Sequence, residues 1–95
     1  MLPEHVKSLA VRTKVVNASG VFRAGYDGEV PSPCVSICRM TPDRSHCEGC
    51  FRSIDEIRAW SQADGAERLR IWHALLARAQ LSTAGRQLPT DAVAP

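Results

Sequence analysis

The sequence contains few of the residues that build a large core, a membrane anchor or a secretion signal. It has two Trp, one Tyr and two Phe among 95 residues, and its first residues, MLPEHVKS, lack the apolar stretch of a secretion signal. No apolar run approaches the roughly 18 residues that a membrane-spanning helix needs. We therefore expect a small, cytoplasmic protein without a membrane segment.

Residue patterns of common enzymes are also missing. The sequence has no Ser/His/Asp set, no glycine-rich phosphate loop and no paired carboxylates beyond those that suit helix caps. The net charge of +2 is too small to indicate nucleic-acid binding by itself. We therefore expect a non-enzymatic protein, with a redox accessory role as the one reservation.

Cysteine is absent everywhere except in one short stretch, where it forms a C-x3-C pair and a C-x2-C pair. The four residues are Cys34, Cys38, Cys47 and Cys50. This spacing lets four thiolates converge on one soft metal centre, either zinc or an iron–sulphur cluster. Two disulfides would need an oxidising compartment, and four unrelated reduced cysteines would rarely cluster so tightly. We favour a metal centre with these four ligands.

The neighbours of the cysteines suit such a centre. Ser32–Cys34 resembles a helix start, which would place Cys34 and Cys38 on one helical face. His46 directly precedes Cys47, and adjacent residues rarely reach one ion, so an outer-shell role is favoured over ligation. The predicted outer shell, which offsets thiolate charge, comprises His46, Arg39, Arg44 and Arg52.

Two amphipathic helices are predicted after the cysteines. Ser53–Glu56 and Asp64–Glu67 read as capping boxes, and the second helix extends to about Leu81. The predicted apolar stripes are Ile54, Ile57 and Trp60, then Leu69, Trp72, Leu75, Leu76 and Ala79. We expect a helical hairpin or L that closes over the metal loop, with both tryptophans mainly in the core. The alternative is a partner-binding surface formed by Trp60, Trp72, Arg68 and Arg70.

The remaining segments carry weak signals. Residues 1–30 contain four cations and no acid between Glu4 and Asp27, and we expect a flexible basic leader with at most a short strand at Arg12–Val16. Residues 31–81 form the predicted four-cysteine metal-binding helical domain, and residues 82–95 a flexible tail. The predicted fold is therefore small and mostly α, with a metal-stapled loop, two short helices and disordered or weakly structured ends. Because so small a core gains little from burial, we expect both helices to depend on the metal.

A set of these residues resembles a family of short bacterial proteins labelled a domain of unknown function. The set is Ser32-Pro33-Cys34, Cys38, Cys47, Gly49-Cys50, Arg52, Glu56-Ile57, Trp60 and Glu67-Arg68, and the resemblance covers about residues 31–80. The family is described as predicted iron–sulphur proteins, so the resemblance implies a cluster but no reaction. Its pattern usually has an acidic residue near Thr41 and glycines near Ser45 and Phe51. A bulky Phe51 would change how open the site is to solvent.

Zinc is the favoured metal, because a C-x2-C knuckle followed at once by a helix is a common zinc arrangement. The cysteine spacing matches neither the bacterial nor the plant-type ferredoxin pattern, but an iron–sulphur cluster stays open as the alternative. The favoured function is a metal-stabilised module that binds another protein. The alternatives are an iron–sulphur carrying or redox accessory protein and, less favoured, a nucleic-acid binder.

Overall fold

The computed structural model describes residues 4–34 and 39–87. Its elements, in chain order, are helix α1 (Glu4–Ala18), helix α2 (Ile54–Ala59), a single 3₁₀ turn (Trp60–Gln62) and helix α3 (Gly65–Ala79). Within these two ranges there are isolated antiparallel bridges, Met40 with Cys47 and Leu81 with Gln87, but no strand. The predicted small, mostly helical class is therefore confirmed. Neither range contains a helix long and apolar enough to cross a membrane.

Helix α1 occupies the segment that was predicted to be a flexible leader. Its inner face is buried at helical spacing, through Val6, Leu9, Ala10, Thr13 and Val16. The Thr13 hydroxyl donates to the Leu9 carbonyl over 2.7 Å. The prediction of a disordered leader with a short strand at Arg12–Val16 is wrong here. The β-branched residues in this segment favour a strand locally, but burial of one helical face outweighs that preference.

The chain between α1 and the first cysteine packs onto α3. Val21 and Val30 are buried, and the Phe22 ring meets the Trp72 ring edge-on with centroids 5.5 Å apart. The Trp72 indole nitrogen donates to the Pro31 carbonyl over 2.9 Å. These contacts join α1, the connecting segment and α3 into one hydrophobic core.

Both later helices begin at the predicted caps. The Ser53 hydroxyl accepts from the Glu56 amide, and the Glu56 carboxylate accepts from the Ser53 amide, so the first capping box is confirmed. The Asp64 carboxylate accepts from the Glu67 amide over 2.8 Å. Helix α3 ends slightly before the predicted boundary, because Gln80 takes a left-handed conformation with φ 58°.

The two later helices differ in how much of their apolar stripe is buried. Helix α3 buries Ile71, Trp72, Leu75, Leu76 and Ala79, and each fully buried large apolar side chain contributes about 1.5–3 kcal/mol. In α2, Ile54 and Ile57 stay 36% and 37% exposed. The expected closure of both stripes is therefore found only for α3, because the six-residue α2 lies at the edge of the core.

The first residues of the predicted C-terminal tail pack against α1. Leu81 is buried, and the Ser82 amide donates to the Arg86 carbonyl over 2.9 Å. Gly85 lies so close to α1 that an added Cβ would come within 2.6 Å of the Ala10 carbonyl oxygen. Residues up to 87 therefore extend the fold, and the rest of the predicted tail, 88–95, lies outside the described residues.

Candidate metal centre

A short hairpin positions the third predicted ligand. Its arms are joined by bonds from the Thr41 amide to the His46 carbonyl (2.9 Å) and from the Glu48 amide to the Arg39 carbonyl (2.7 Å). At its tip the Asp43 carboxylate accepts from the Thr41 hydroxyl and the Ser45 amide, which lowers the pKa of Asp43 to about 2. The hairpin therefore fixes where Cys47 lies.

Cys47 and Cys50 form a buried knuckle, 5% and 3% exposed, and they come within 3.9 Å of each other. Burial raises the pKa of Cys47, but hydrogen bonds from the amides of Cys50, Gly49 and Arg39 together lower it below its usual value. For Cys50, burial raises the pKa despite the opposing effect of Arg52. Several N–H groups converging on one sulphur suit a thiolate at Cys47.

Arg52 is a charged residue in direct contact with a thiol. It is 7% exposed, its Nε donates to the Cys50 sulphur over 3.2 Å, and its guanidinium carbon lies 5.3 Å from the centre of the Trp60 ring. A buried guanidinium is costly unless an anion or π face compensates it. Burial raises the pKa of Cys50, and an added positive charge such as a metal ion would favour its anionic form.

Three of the four predicted ligands line one cavity of about 160 Å³. The lining residues are Cys34, Cys47, Cys50, Arg39, Met40, Arg52 and Ile57. In the described ranges, however, no group of three or more Cys, His, Asp or Glu side chains is arranged to hold a metal ion. The cavity brings the thiols to one place without completing a coordination sphere.

The first cysteine pair is only partly described. Cys34 is exposed, and its amide donates to the Ser32 hydroxyl over 3.2 Å. The Arg12 guanidinium of α1 donates two bonds to the Ser32 carbonyl, at 3.2 and 3.0 Å. Cys38 and most of the predicted helical turn that leads to it lie outside the described residues. Helix α1 therefore holds the segment that delivers Cys34 to the cavity.

The other predicted outer-shell residues make different contacts from Arg52. The Arg39 side chain binds the Glu48 carboxylate across the hairpin at 2.7 Å, and the Arg39 backbone amide donates to the Cys47 sulphur. His46 bonds to the Ser45 hydroxyl through Nδ1 and stacks on Phe51 with ring centroids 4.9 Å apart. Arg44 is exposed at the turn with φ 60°. Among the side chains of the predicted outer shell, only that of Arg52 has a described bond to a thiol.

Phe51 has an unusual backbone beside the last cysteine. Its φ of 63° lies in the left-handed region, while its ring is 6% exposed. This conformation costs a non-glycine residue about 1–2 kcal/mol, which burial of the ring offsets. The resemblance expects glycine at this position, and the backbone gives the physical reason.

The sequence analysis gave no role at the site to three residues. Met40 and Ile57 line the cavity, although Ile57 was predicted only as part of the apolar stripe of α2. Arg78 of α3 donates to the Phe51 carbonyl at 2.8 Å and binds the Glu56 carboxylate at 2.6 and 2.8 Å. Burial raises the pKa of Glu56. The hydrogen bonds from Arg78 and Ser53 have the larger combined effect in the opposite direction, so the pKa of Glu56 lies below its usual value. The bonds that Arg78 makes to Phe51 and Glu56 depend on the tertiary packing of α3 against the loop, which the sequence does not show.

One residue of the predicted partner surface is not accessible. Trp72 is fully buried and belongs to the core, so it is not part of this surface. Trp60 is half-buried. The guanidinium carbons of Arg52 and Arg68 lie over its ring, 5.3 and 5.1 Å from the ring centre. Arg70 is exposed and pairs with Glu67.

Residues 32–79 match a family model described as a protein of unknown function, DUF1289. The uncharacterised protein YdhL of Escherichia coli (strain K12) is 40% identical over 42 residues, which are 44% of this chain and 52% of that relative. YdhL of Shigella flexneri gives the same values. The chain thus spans about half the length of the curated relatives it matches. No solved structure matches. The family match includes the cysteine loop, α2 and α3, whereas α1 lies outside it.

Proposed function

Because this chain belongs to the DUF1289 family of proteins of unknown function, we propose a function from its own residues. The segment Cys34–Cys50 binds one metal centre through its four cysteines, and the folded chain serves as a small interaction module for another protein. The metal, zinc in the first instance, would supply folding free energy on the order of 10 kcal/mol.

The observation that carries this proposal is the cavity shared by Cys34, Cys47 and Cys50. Two of these thiols are buried, which is unfavourable for a thiolate unless positive charge lies nearby. Arg52 supplies one charge at Cys50, and amide groups supply partial charge at Cys47. A metal dication is the further charge that this donor set suits.

The distance between Cys47 and Cys50 supports binding of one shared metal atom. With zinc–sulphur bonds of about 2.3 Å, neighbouring sulphurs of a tetrahedral site lie roughly 3.8 Å apart. The 3.9 Å approach of Cys47 and Cys50 is close to this value. The spacing supports zinc, or one iron of a [2Fe–2S] cluster, over a [4Fe–4S] cluster in which each cysteine binds a different iron.

The first cysteine pair would complete the site. Cys34 lines the cavity but is exposed, so ligation requires its side chain to turn inward. Cys38, which lies outside the described residues, is the fourth ligand of this proposal.

Exposed apolar side chains beside the site support the interaction role. Ile54 and Ile57 of α2 are 36% and 37% exposed, and Ile57 also lines the cavity. A protein partner would cover such side chains favourably. The guanidinium groups of Arg52 and Arg68 lie over the Trp60 ring, where they would compete with a nucleobase for stacking. We therefore favour a protein partner over nucleic acid.

Metal analysis of protein purified without added metal tests the proposal. We expect a colourless protein with one zinc per chain, and loss of that zinc in the double variant Cys47→Ser/Cys50→Ser. His73→Ala is the matched control, because His73 is an exposed potential ligand remote from the thiols in sequence. A brown protein with visible absorption would replace zinc by the iron–sulphur alternative. A chain with intact, reduced cysteines and no metal would overturn the proposal.

A further inference from the structure

The cavity lined by Cys34, Cys47 and Cys50 has a fourth sulphur in its wall. Met40 lines it together with Cys34, Cys47 and Cys50. Methionine lines many protein cavities as an ordinary apolar residue, so its place in this cavity wall does not by itself indicate a metal ligand. The hairpin register provides a second observation.

Met40 and Cys47 are directly opposite each other in the hairpin. The two flanking bonds, Thr41 amide to His46 carbonyl and Glu48 amide to Arg39 carbonyl, enclose this pair without a bond between its own members. Such a non-hydrogen-bonded pair has its Cα atoms about 4.5 Å apart and its side chains close together on the same face. The Met40 thioether therefore leaves the backbone on the side where the Cys47 thiol leaves it, toward the cavity.

A thioether changes which ions the donor set suits. Zinc in proteins is bound by thiolate, imidazole and carboxylate groups. Thioethers join thiolates mainly around soft monovalent copper. A thioether beside the thiols would therefore contribute to the binding of a soft monovalent ion but not to the binding of zinc, although both ions would use the same cysteines.

We propose that this cavity also binds Cu(I), with the Met40 sulphur as a ligand beside the thiolates of Cys47 and Cys50. This inference rests on the proposed function, because it requires the same cysteines to bind metal. Binding is ligand exchange: the copper stays in the +1 state, metal–sulphur bonds form, and each participating thiol releases its proton to solvent.

Competition against a chromophoric Cu(I) chelator, under anaerobic and reducing conditions, tests the inference. The variants are Met40→Leu, which keeps an apolar side chain of similar size, and Val11→Leu, a conservative change on the exposed face of α1 outside the cavity wall. We expect Met40→Leu to weaken Cu(I) binding by at least about tenfold, because loss of even an outer partner of a metal site typically costs about 10- to 100-fold in affinity. The zinc affinity of Met40→Leu should stay within about twofold of the unchanged chain. Val11→Leu should change neither affinity.

The outcomes separate this inference from the proposed function. If Met40→Leu binds Cu(I) as tightly as the unchanged chain, Met40 is only an apolar wall and the inference is wrong, while retained zinc binding leaves the proposed function standing. If Met40→Leu weakens both ions equally, its role is structural and the inference is also wrong. If the cysteines of the unchanged chain bind neither ion, the proposed function itself fails.

Discussion

The core shared by α1 and α3 and the loop of residues 39–52 are stabilised by different interactions. In the core, Leu9, Trp72 and Leu75 are fully buried apolar side chains. In the loop, the buried groups are mainly two thiols and the guanidinium of Arg52, with Phe51 as the one large apolar side chain. Apolar burial stabilises the first region without any ligand, whereas the second buries polar groups that need a counter-charge. The loop, more than the helices, should therefore depend on metal.

Metal removal gives the largest expected difference between the two regions. A structural zinc contributes on the order of 10 kcal/mol, so a strong chelator should abolish amide-exchange protection in residues 39–52 and in α2. Helices α1 and α3, of 15 residues each, should keep their protection, and most of the far-UV helical signal should remain.

This expectation replaces the one drawn from the sequence, in which both later helices depend on the metal. The double variant Cys47→Ser/Cys50→Ser, without chelator, should reproduce the chelated pattern. Loss of protection in α1 and α3 together with the loop would show that the two regions are not separate.

Shortening a buried side chain of α1 tests whether this helix is part of the core. Leu9→Ala removes a fully buried side chain and should lower the free energy of unfolding by about 2–5 kcal/mol. Val11→Ala is the matched control on the same helix, because Val11 is 60% exposed and such surface changes stay within about 0.5 kcal/mol. Denaturant titration measures both. Equal effects of the two substitutions would contradict the burial of α1.

A smaller effect is expected at Phe51, where the loop meets the core. Phe51→Ala and Phe51→Gly both remove the buried ring, but only glycine adopts φ 63° without strain. We therefore expect the glycine variant to be more stable than the alanine variant by about 1 kcal/mol. This reverses the order found at ordinary positions. Thermal unfolding of the two variants compares them directly, and the ordinary order would argue against a left-handed backbone here.

The two regions differ in how much of their structure the sequence predicts. Capping and helical periodicity are local signals, so the sequence predicts the caps at Ser53 and Asp64 and the apolar stripe of α3. Helix α1 was not predicted, because its valines and threonine favour strands locally and because its burial depends on a core shared with residues far along the chain. In the loop, the short cysteine spacing indicated a shared site. The placement of Met40 opposite Cys47, and the bond from Arg78 to the Phe51 carbonyl, depend on hairpin register and tertiary packing that the sequence does not display.

The position of Trp60 between two guanidinium groups has an optical consequence. One of these groups, that of Arg52, also bonds to the Cys50 sulphur, so whatever occupies the sulphurs alters the electric field at the indole. The chain thus carries an intrinsic fluorophore at its thiol site. The second tryptophan, Trp72, is fully buried, so the two indoles of the chain emit from different environments.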